Sequence, residues 1–180
     1  NKALAQAALW RMENPDFVIS VNVSYIQILQ EGFREMVTRI VEKSGTPEKQ
    51  LILELTESCK VSDPNGLRDD FEYFKNMGIN MALDDFGTGF SSLDVLSYLP
   101  VDTLKIDRGF VAGISEKVAN QVIVRSVAQC ANELGVKVCV EGIEDRELAD
   151  FLKPYGPGSY QGYYFSRPIS IEKLKEKYMK

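Results

Sequence analysis

The sequence predicts an α/β protein built on a parallel sheet. Three observations carry this. Apolar strand-like runs alternate with helix-like periodic segments along all 180 residues. Glycine closes three of those helices, at Gly45, Gly78 and Gly135. Five consecutive apolar runs end in a polar or ionisable group. Successive strand–helix units with right-handed crossovers give parallel pairing. A doubly wound open sheet and a (β/α) barrel both fit. A full barrel has eight strands and about 250 residues, and about six strands are visible here.

In order, Asn1 to Trp10 reads as the end of a helix, apolar on one side, with no capping residue or strand before it. Phe17 to Ser24 is a buried-strand run. Ile26, Leu29, Phe33, Met36, Val37 and Ile40 recur at helical spacing and predict one helix closed by Gly45. Leu51 to Glu57 is the second strand. Asp63-Pro64 gives an N-cap and first-turn proline to a helix with Leu67, Phe71, Phe74 and Met77 on its apolar face. Asn80 to Asp85 is the third strand, and Thr103 to Asp107 a short fourth. Ser115 is the expected cap of a long helix with Val118, Val122, Val127, Ala131 and Leu134 inward. Val136 to Glu141 is the fifth strand, Glu144 to Leu152 a short helix, Tyr160 to Phe165 the sixth strand or strand end, and Ile171 to Tyr178 the last helix. No linker or repeat interrupts the pattern, so residues 1–180 read as a single domain.

Composition narrows the chemistry. Hydrophobic residues make up 44% and charged residues 26%, an ordinary globular balance. Lysine plus arginine at 21 against aspartate plus glutamate at 26 gives −5. Without a basic tract, binding to duplex nucleic acid is not expected. Cys59, Cys130 and Cys139 have no metal-ligand spacing and fit a reducing compartment. No apolar run approaches the ~20 residues of a membrane helix. Histidine is absent, which excludes Ser-His-Asp and Cys-His catalysis and His-ligated zinc. Proton transfer falls to Asp, Glu, Lys, Tyr or Cys.

The strand ends carry Asn22, Glu54, Asp84 with Asp85, Lys105 with Asp107, Glu141 and Gln161. In parallel α/β folds the carboxyl ends of the strands share one face, where active sites form. Gathering several carboxylates there without compensation is very unfavourable. Divalent cations remove the penalty, and Asp, Glu and Asn oxygens suit Mg2+, Mn2+ or Ca2+. Two adjacent acids can serve two ions, an arrangement suited to phosphodiester cleavage. Lys105 can orient the attacking water or neutralise developing charge. Glu141 is the natural general-base candidate. Taken singly, each residue also has a structural reading. Asn22 can satisfy a strand-end backbone group, and Glu54 and Glu57 can cap a helix or form ion pairs. Lys105 and Asp107 can be a surface pair. Gln161, among Tyr160, Tyr163 and Tyr164, can be packing or a base-stacking face. The joint pattern is what points to a site.

Motifs in this order resemble the EAL domain, the bacterial cyclic di-GMP phosphodiesterase. They are Val21-Asn22-Val23-Ser24, Glu54-Leu55-Thr56-Glu57, Asp84-Asp85-Phe86-Gly87-Thr88-Gly89-Phe90-Ser91-Ser92-Leu93, Lys105-Ile106-Asp107 with Phe110, Glu141-Gly142-Ile143-Glu144, and Gln161-Gly162-Tyr163-Tyr164-Phe165 with Pro168. The resemblance implies a TIM-like (β/α) barrel, a Mg2+ or Mn2+ site inhibited by Ca2+, and cleavage of cyclic di-GMP to linear pGpG. It implies Asn22, Glu54, Asp84 and Asp85 as metal ligands, and Glu141 as base or further ligand. Lys105 would position the attacking water, and Gln161, Asp107 and Pro168 would meet substrate. The loop of Phe86, Gly87, Thr88, Gly89, Ser91 and Ser92, anchored by Glu57, would couple dimerisation to the site, so a homodimer through the region after Asp85 is expected. The Glu-Ala-Leu segment that names the family, one of whose residues is a metal ligand, is absent from these 180 residues. The reading is therefore an N-terminally incomplete barrel lacking two strands, with weak or no activity of its own. A partner chain or a rearranged segment is expected over the open edges. A receptor or interaction module without catalysis is the alternative. The resemblance further implies a cytoplasmic location, alone or as the cytoplasmic part of a larger sensor.

Overall fold

The computed structural model describes residues 2–12, 14–56, 62–88 and 93–178. Six strands form one sheet: β1 (Ile19–Val23), β2 (Leu51–Thr56), β3 (Asn80–Phe86), β4 (Thr103–Ile106), β5 (Lys137–Val140) and β6 (Ser159–Tyr160). Their spatial order is the chain order, β1 to β6, and every pair is parallel. A doubly wound sheet reverses its order at a switch point. A sequential order with right-handed crossovers instead keeps the helices on one face, as in a (β/α) barrel. The other face is then a lumen. Nine α-helices accompany the sheet among the described residues: α1 (Lys2–Arg11), α2 (Tyr25–Ile28), α3 (Phe33–Ser44), α4 (Pro64–Asn76), α5 (Val95–Tyr98), α6 (Arg108–Val111), α7 (Val118–Glu133), α8 (Arg146–Leu152) and α9 (Ile171–Tyr178). None is long and apolar enough to cross a membrane. β1 and β6 each pair on one side only. Among the described residues no rearranged segment adds a strand to either edge, contrary to that half of the sequence expectation.

The core lies between strands and helices. Leu51, Leu53, Leu55, Leu83, Leu104 and Val138 project from the sheet onto Phe71, Phe74, Val124, Ala128 and Ala131. Asp63 caps α4 by accepting from the Gly66 amide, with Pro64 in the first turn. Gly45 ends α3 in the left-handed region at φ 66°.

Three expected elements differ. The single helix from Ile26 to Ile40 is two. Ser24 and Gln27 form a reciprocal capping box on α2, and Gly32 starts α3 at φ 78°. Ile26, Leu29 and Met36 are consequently exposed, while Phe33, Val37 and Val41 face the core at a four-residue spacing. Ser115 does not cap α7, which starts at Val118. Val118, Val122 and Leu134, expected inward, are exposed, and the buried stripe is Val124, Val127, Ala128 and Ala131. The step from Val122 to Val127 is five residues and turns the helix by about 140°, so the two ends of the expected stripe cannot share a face. β6 is only two residues long, and 161–165 leaves the sheet as a turn.

That turn is zipped to the β5–α8 loop. Ile143 N donates to Gln161 O at 3.1 Å, and Tyr164 N donates to Ile143 O at 3.0 Å. A Cβ on Gly162 would land on the carbonyl oxygen and amide nitrogen of Ile143. Gly162→Ala is expected to destabilise the fold by about 1–3 kcal/mol, the overpacking range. The check is a lower denaturation midpoint at unchanged m-value.

Candidate active site at the carboxyl ends of the strands

Parallel register fixes which side chains share a face, since paired residues point the same way and side chains alternate along each strand. Asn22 pairs with Glu54 and Thr56 with Asp84. Ala82 pairs with Thr103, two residues before Lys105. Lys105 pairs with Cys139, two residues before Glu141, and Cys139 pairs with Ser159, two residues before Gln161. By this parity Asn22, Glu54, Asp84, Lys105, Glu141 and Gln161 all belong to the lumen face.

Asp85 has the wrong parity in a regular strand. The β3–β4 register advances from Leu83↔Leu104 to Phe86↔Ile106, three residues against two. This is a β-bulge at Asp84-Asp85. Asp85 takes φ 56°, the sole positive φ among the described non-glycine residues. The extra residue returns Phe86 to the buried outer face and leaves both acids at the lumen. Carboxylate oxygens of Asp84, Asp85 and Glu141 lie within 4.8 Å of one another.

Lys105 is the centre of the cluster. Its Nζ lies 2.9 Å from Glu54 Oε2, 2.7 Å from Asp84 Oδ1 and 2.8 Å from Glu141 Oε1. The surface-pair reading of this lysine is thereby excluded, because only 5% of the residue is exposed. Burial opposes its charge, but the contacts with Asp84, Glu141 and Glu54 outweigh burial and raise its pKa. Burial raises the Glu141 carboxyl, with Lys105 pulling the other way. Asp85 is raised by burial first, then by Asp84 and Asp107.

A metal fits this arrangement on the charge balance of the residues themselves. One ammonium faces four carboxylates: Glu54, Asp84, Asp85 and Glu141. Two of them resist ionisation. Asp84 Oδ1 is buried and paired with the Lys105 ammonium at 2.7 Å, one contact for an oxygen that can accept two. Hard oxygen donors in surplus negative charge suit a divalent cation.

The other predicted residues surround this centre unequally. Asn22 is exposed on edge strand β1. Asp107 caps α6 by accepting from the Gly109 amide at 2.7 Å, so its helix-cap role is concrete. Gln161 and Pro168 are exposed beyond β6. In the predicted loop, Phe86 is buried core and Gly87 has φ 96°. The Thr88 amide and hydroxyl both donate to Asp85 O, at 3.2 and 3.0 Å. Glu57, Gly89, Ser91 and Ser92, with Cys59, lie outside the described residues. A separate groove of about 720 Å³ is lined by Arg108, Gly142, Glu144, Leu148 and Phe151 among others. It contains none of the clustered carboxylates, so the chemistry is not there.

Sequence reading missed the bulge, although Leu83-Asp84-Asp85-Phe86 breaks strict alternation. Cys139 is buried in register with Lys105, where burial raises its thiol pKa and keeps it protonated.

Known proteins resemble this chain in sequence and in fold. The EAL domain profile matches residues 1–168. The bifunctional diguanylate cyclase/cyclic di-GMP phosphodiesterase MucR of Pseudomonas aeruginosa is 34% identical over 175 residues, 97% of this chain and 26% of MucR. The chain thus spans about a quarter of the length of the curated relatives it matches. Among solved structures, the EAL domain of Mycobacterium smegmatis DcpA superposes with a TM-score of 0.92 at 37% identity, covering 97% of this chain and 79% of that one. Klebsiella pneumoniae BlrP1, solved as calcium and as manganese complexes with cyclic di-GMP, has a TM-score of 0.84 at 28% identity, covering 92% and 42%. With the profile matched along nearly its whole length and a TIM-barrel-like sheet in common with these structures, the chain belongs to the EAL domain family.

Proposed function

We propose that this chain carries the site of a metal-dependent cyclic di-GMP phosphodiesterase that yields linear pGpG. The observation that carries the reading is Lys105 held by Glu54, Asp84 and Glu141 within 2.7–2.9 Å, at the carboxyl ends of the strands. Relatives named as cyclic di-GMP phosphodiesterases and neighbours solved with that nucleotide support it.

Asn22, Glu54, Asp84, Asp85 and Glu141 would hold Mg2+ or Mn2+, with Asp84 and Asp85 set by the bulge to serve two ions. Bound there, the ions supply Lewis-acid charge neutralisation and a nucleophile at neutral pH. Lys105 remains protonated through the working pH range and orients the attacking water by its Nζ. Glu141, whose carboxyl is raised above its ordinary range by burial, accepts the proton of that water. Water adds across one phosphorus–ester oxygen bond: hydroxyl goes to phosphorus, and a proton to the departing ribose oxygen. Gln161, Asp107 and Pro168 would meet the nucleotide. Ca2+ would bind without supporting turnover. The region after Asp85 would form the homodimer contact.

The exposure of Asn22 on an edge strand paired on one side only favours slow turnover by the chain on its own, with nucleotide binding retained. The test is chromatography of cyclic di-GMP incubated with the protein in Mn2+, Mg2+, Ca2+ or chelator. Appearance of pGpG in Mn2+ or Mg2+ alone is the expected result. Calorimetric binding with no cleavage in any metal would instead identify a receptor.

A further inference from the structure

We propose that Phe110 is a positioning residue for the Asp84–Asp85 pair, acting through Gly87. The proposal rests on the reading of Asp85 as a metal ligand.

Asp85 is held in a left-handed conformation that L-residues adopt at a penalty. Such a geometry persists only when its surroundings impose it. On one side, buried Phe86 is fixed by its register with Ile106. On the other, Gly87 backs closely onto the Phe110 ring. A Cβ there would sit 2.8 Å from Phe110 Cζ and closer still to Cε2. Gly87 is therefore glycine for two reasons, its φ of 96° and the ring. The Thr88–Asp85 hydrogen bonds close the turn between these supports.

Phe110 is itself anchored. Asp107 caps its one-turn helix. Its carbonyl accepts from Asn120 Nδ2 on α7 at 3.0 Å, and its neighbour Val111 is fully buried. The ring is thus tied to α6 and α7, while the turn it supports sets the second acid of the cluster. Without the ring, the turn gains room on the side of Gly87, and Asp85 can relax toward ordinary strand geometry. That motion carries its carboxylate off the lumen face, because the alternation of a regular strand points it outward.

The experiment measures Mn2+ binding by thermal shift in Phe110→Ala and Phe110→Leu. Phe151→Ala, a half-buried aromatic away from the site, controls for general loss of packing, and Asp85→Asn controls for the ligand. We expect the Phe110 variants to raise the Mn2+ midpoint about tenfold. The same variants should speed hydrogen exchange of the Thr88 amide without metal, and lower kcat with little change in KM. Phe151→Ala should lower the melting temperature without moving the midpoint. Phe110→Leu keeps apolar volume and serves if the alanine variant does not fold. An unmoved midpoint in Phe110→Leu, or an equal shift in Phe151→Ala, overturns the proposal. If Asp85→Asn moves the midpoint while Phe110 variants do not, only the role of Phe110 fails. If Asp85→Asn leaves it unmoved, the ligand reading fails and takes the proposal with it.

Discussion

Lys105→Met should destabilise the metal-free protein by about 3–5 kcal/mol, the scale of stripping one partner from a buried ion pair. The lysine is 5% exposed and contacts three carboxylates. In its absence Glu54, Asp84 and Glu141 are left together with no cation. Two dependences identify the cause. In the wild type, the Lys105 pKa is raised above its ordinary 10.5. Its contribution is then complete below about pH 10.5 and declines only in stronger alkali. In the variant the sign reverses. Carboxyls such as Glu141, already raised by burial, lose the lysine that restrained them. The folded state then binds protons more tightly than the unfolded one, so stability falls as pH rises above the ordinary carboxylate range. Added Mn2+ should restore part of the loss by replacing the missing positive charge. Guanidinium titrations at pH 5 and pH 7.5, with and without Mn2+, measure all three effects. A variant equally stable at both pH values would show that the carboxylates do not depend on this lysine.

Asp85→Asn separates function from stability. Cleavage of cyclic di-GMP is expected to drop by about 10²–10³-fold, the scale of losing one preorganised charge-stabilising partner. The same substitution should leave the metal-free fold equal in stability or firmer by about 0.5–2 kcal/mol, since active-site strain is relieved. Burial, Asp84 and Asp107 all resist ionisation of Asp85, so removing its charge removes repulsion. Asp84→Asn should abolish cleavage without that gain, because Asp84 is paired to Lys105. Paired rate and denaturation measurements on the two variants decide the point. Equal stability changes in both would refute the distinction drawn from the cluster.

Most of the architecture is legible in the sequence because apolar runs and glycine stops report local physics. The six strands, the Asp63-Pro64 start of α4 and the Gly45 stop of α3 all follow from patterns a few residues long. Failures occur where a local signal competes with another. The capping box at Ser24 and Gln27 divides a segment whose apolar spacing suggests one helix. In α7, valines at Val118 and Val122 resemble a core stripe, yet a five-residue step rotates them away from it. The site was legible as a list of strand ends. The partnership of Lys105 with three acids was not, because those residues are distant in sequence and meet only through register.

By itself, the sequence determined the class of fold, the family, and the residue types available for chemistry: many carboxylates, one strand-end lysine and no histidine. The tertiary structure decided barrel against doubly wound sheet, through sequential strand order. It also decided how two consecutive aspartates serve one site. A regular strand sends neighbours to opposite faces, and only the bulge against β4, with Asp85 at φ 56°, brings both to the lumen. That geometry depends on the partner strand and on Phe110 from a later helix, contacts no local pattern encodes.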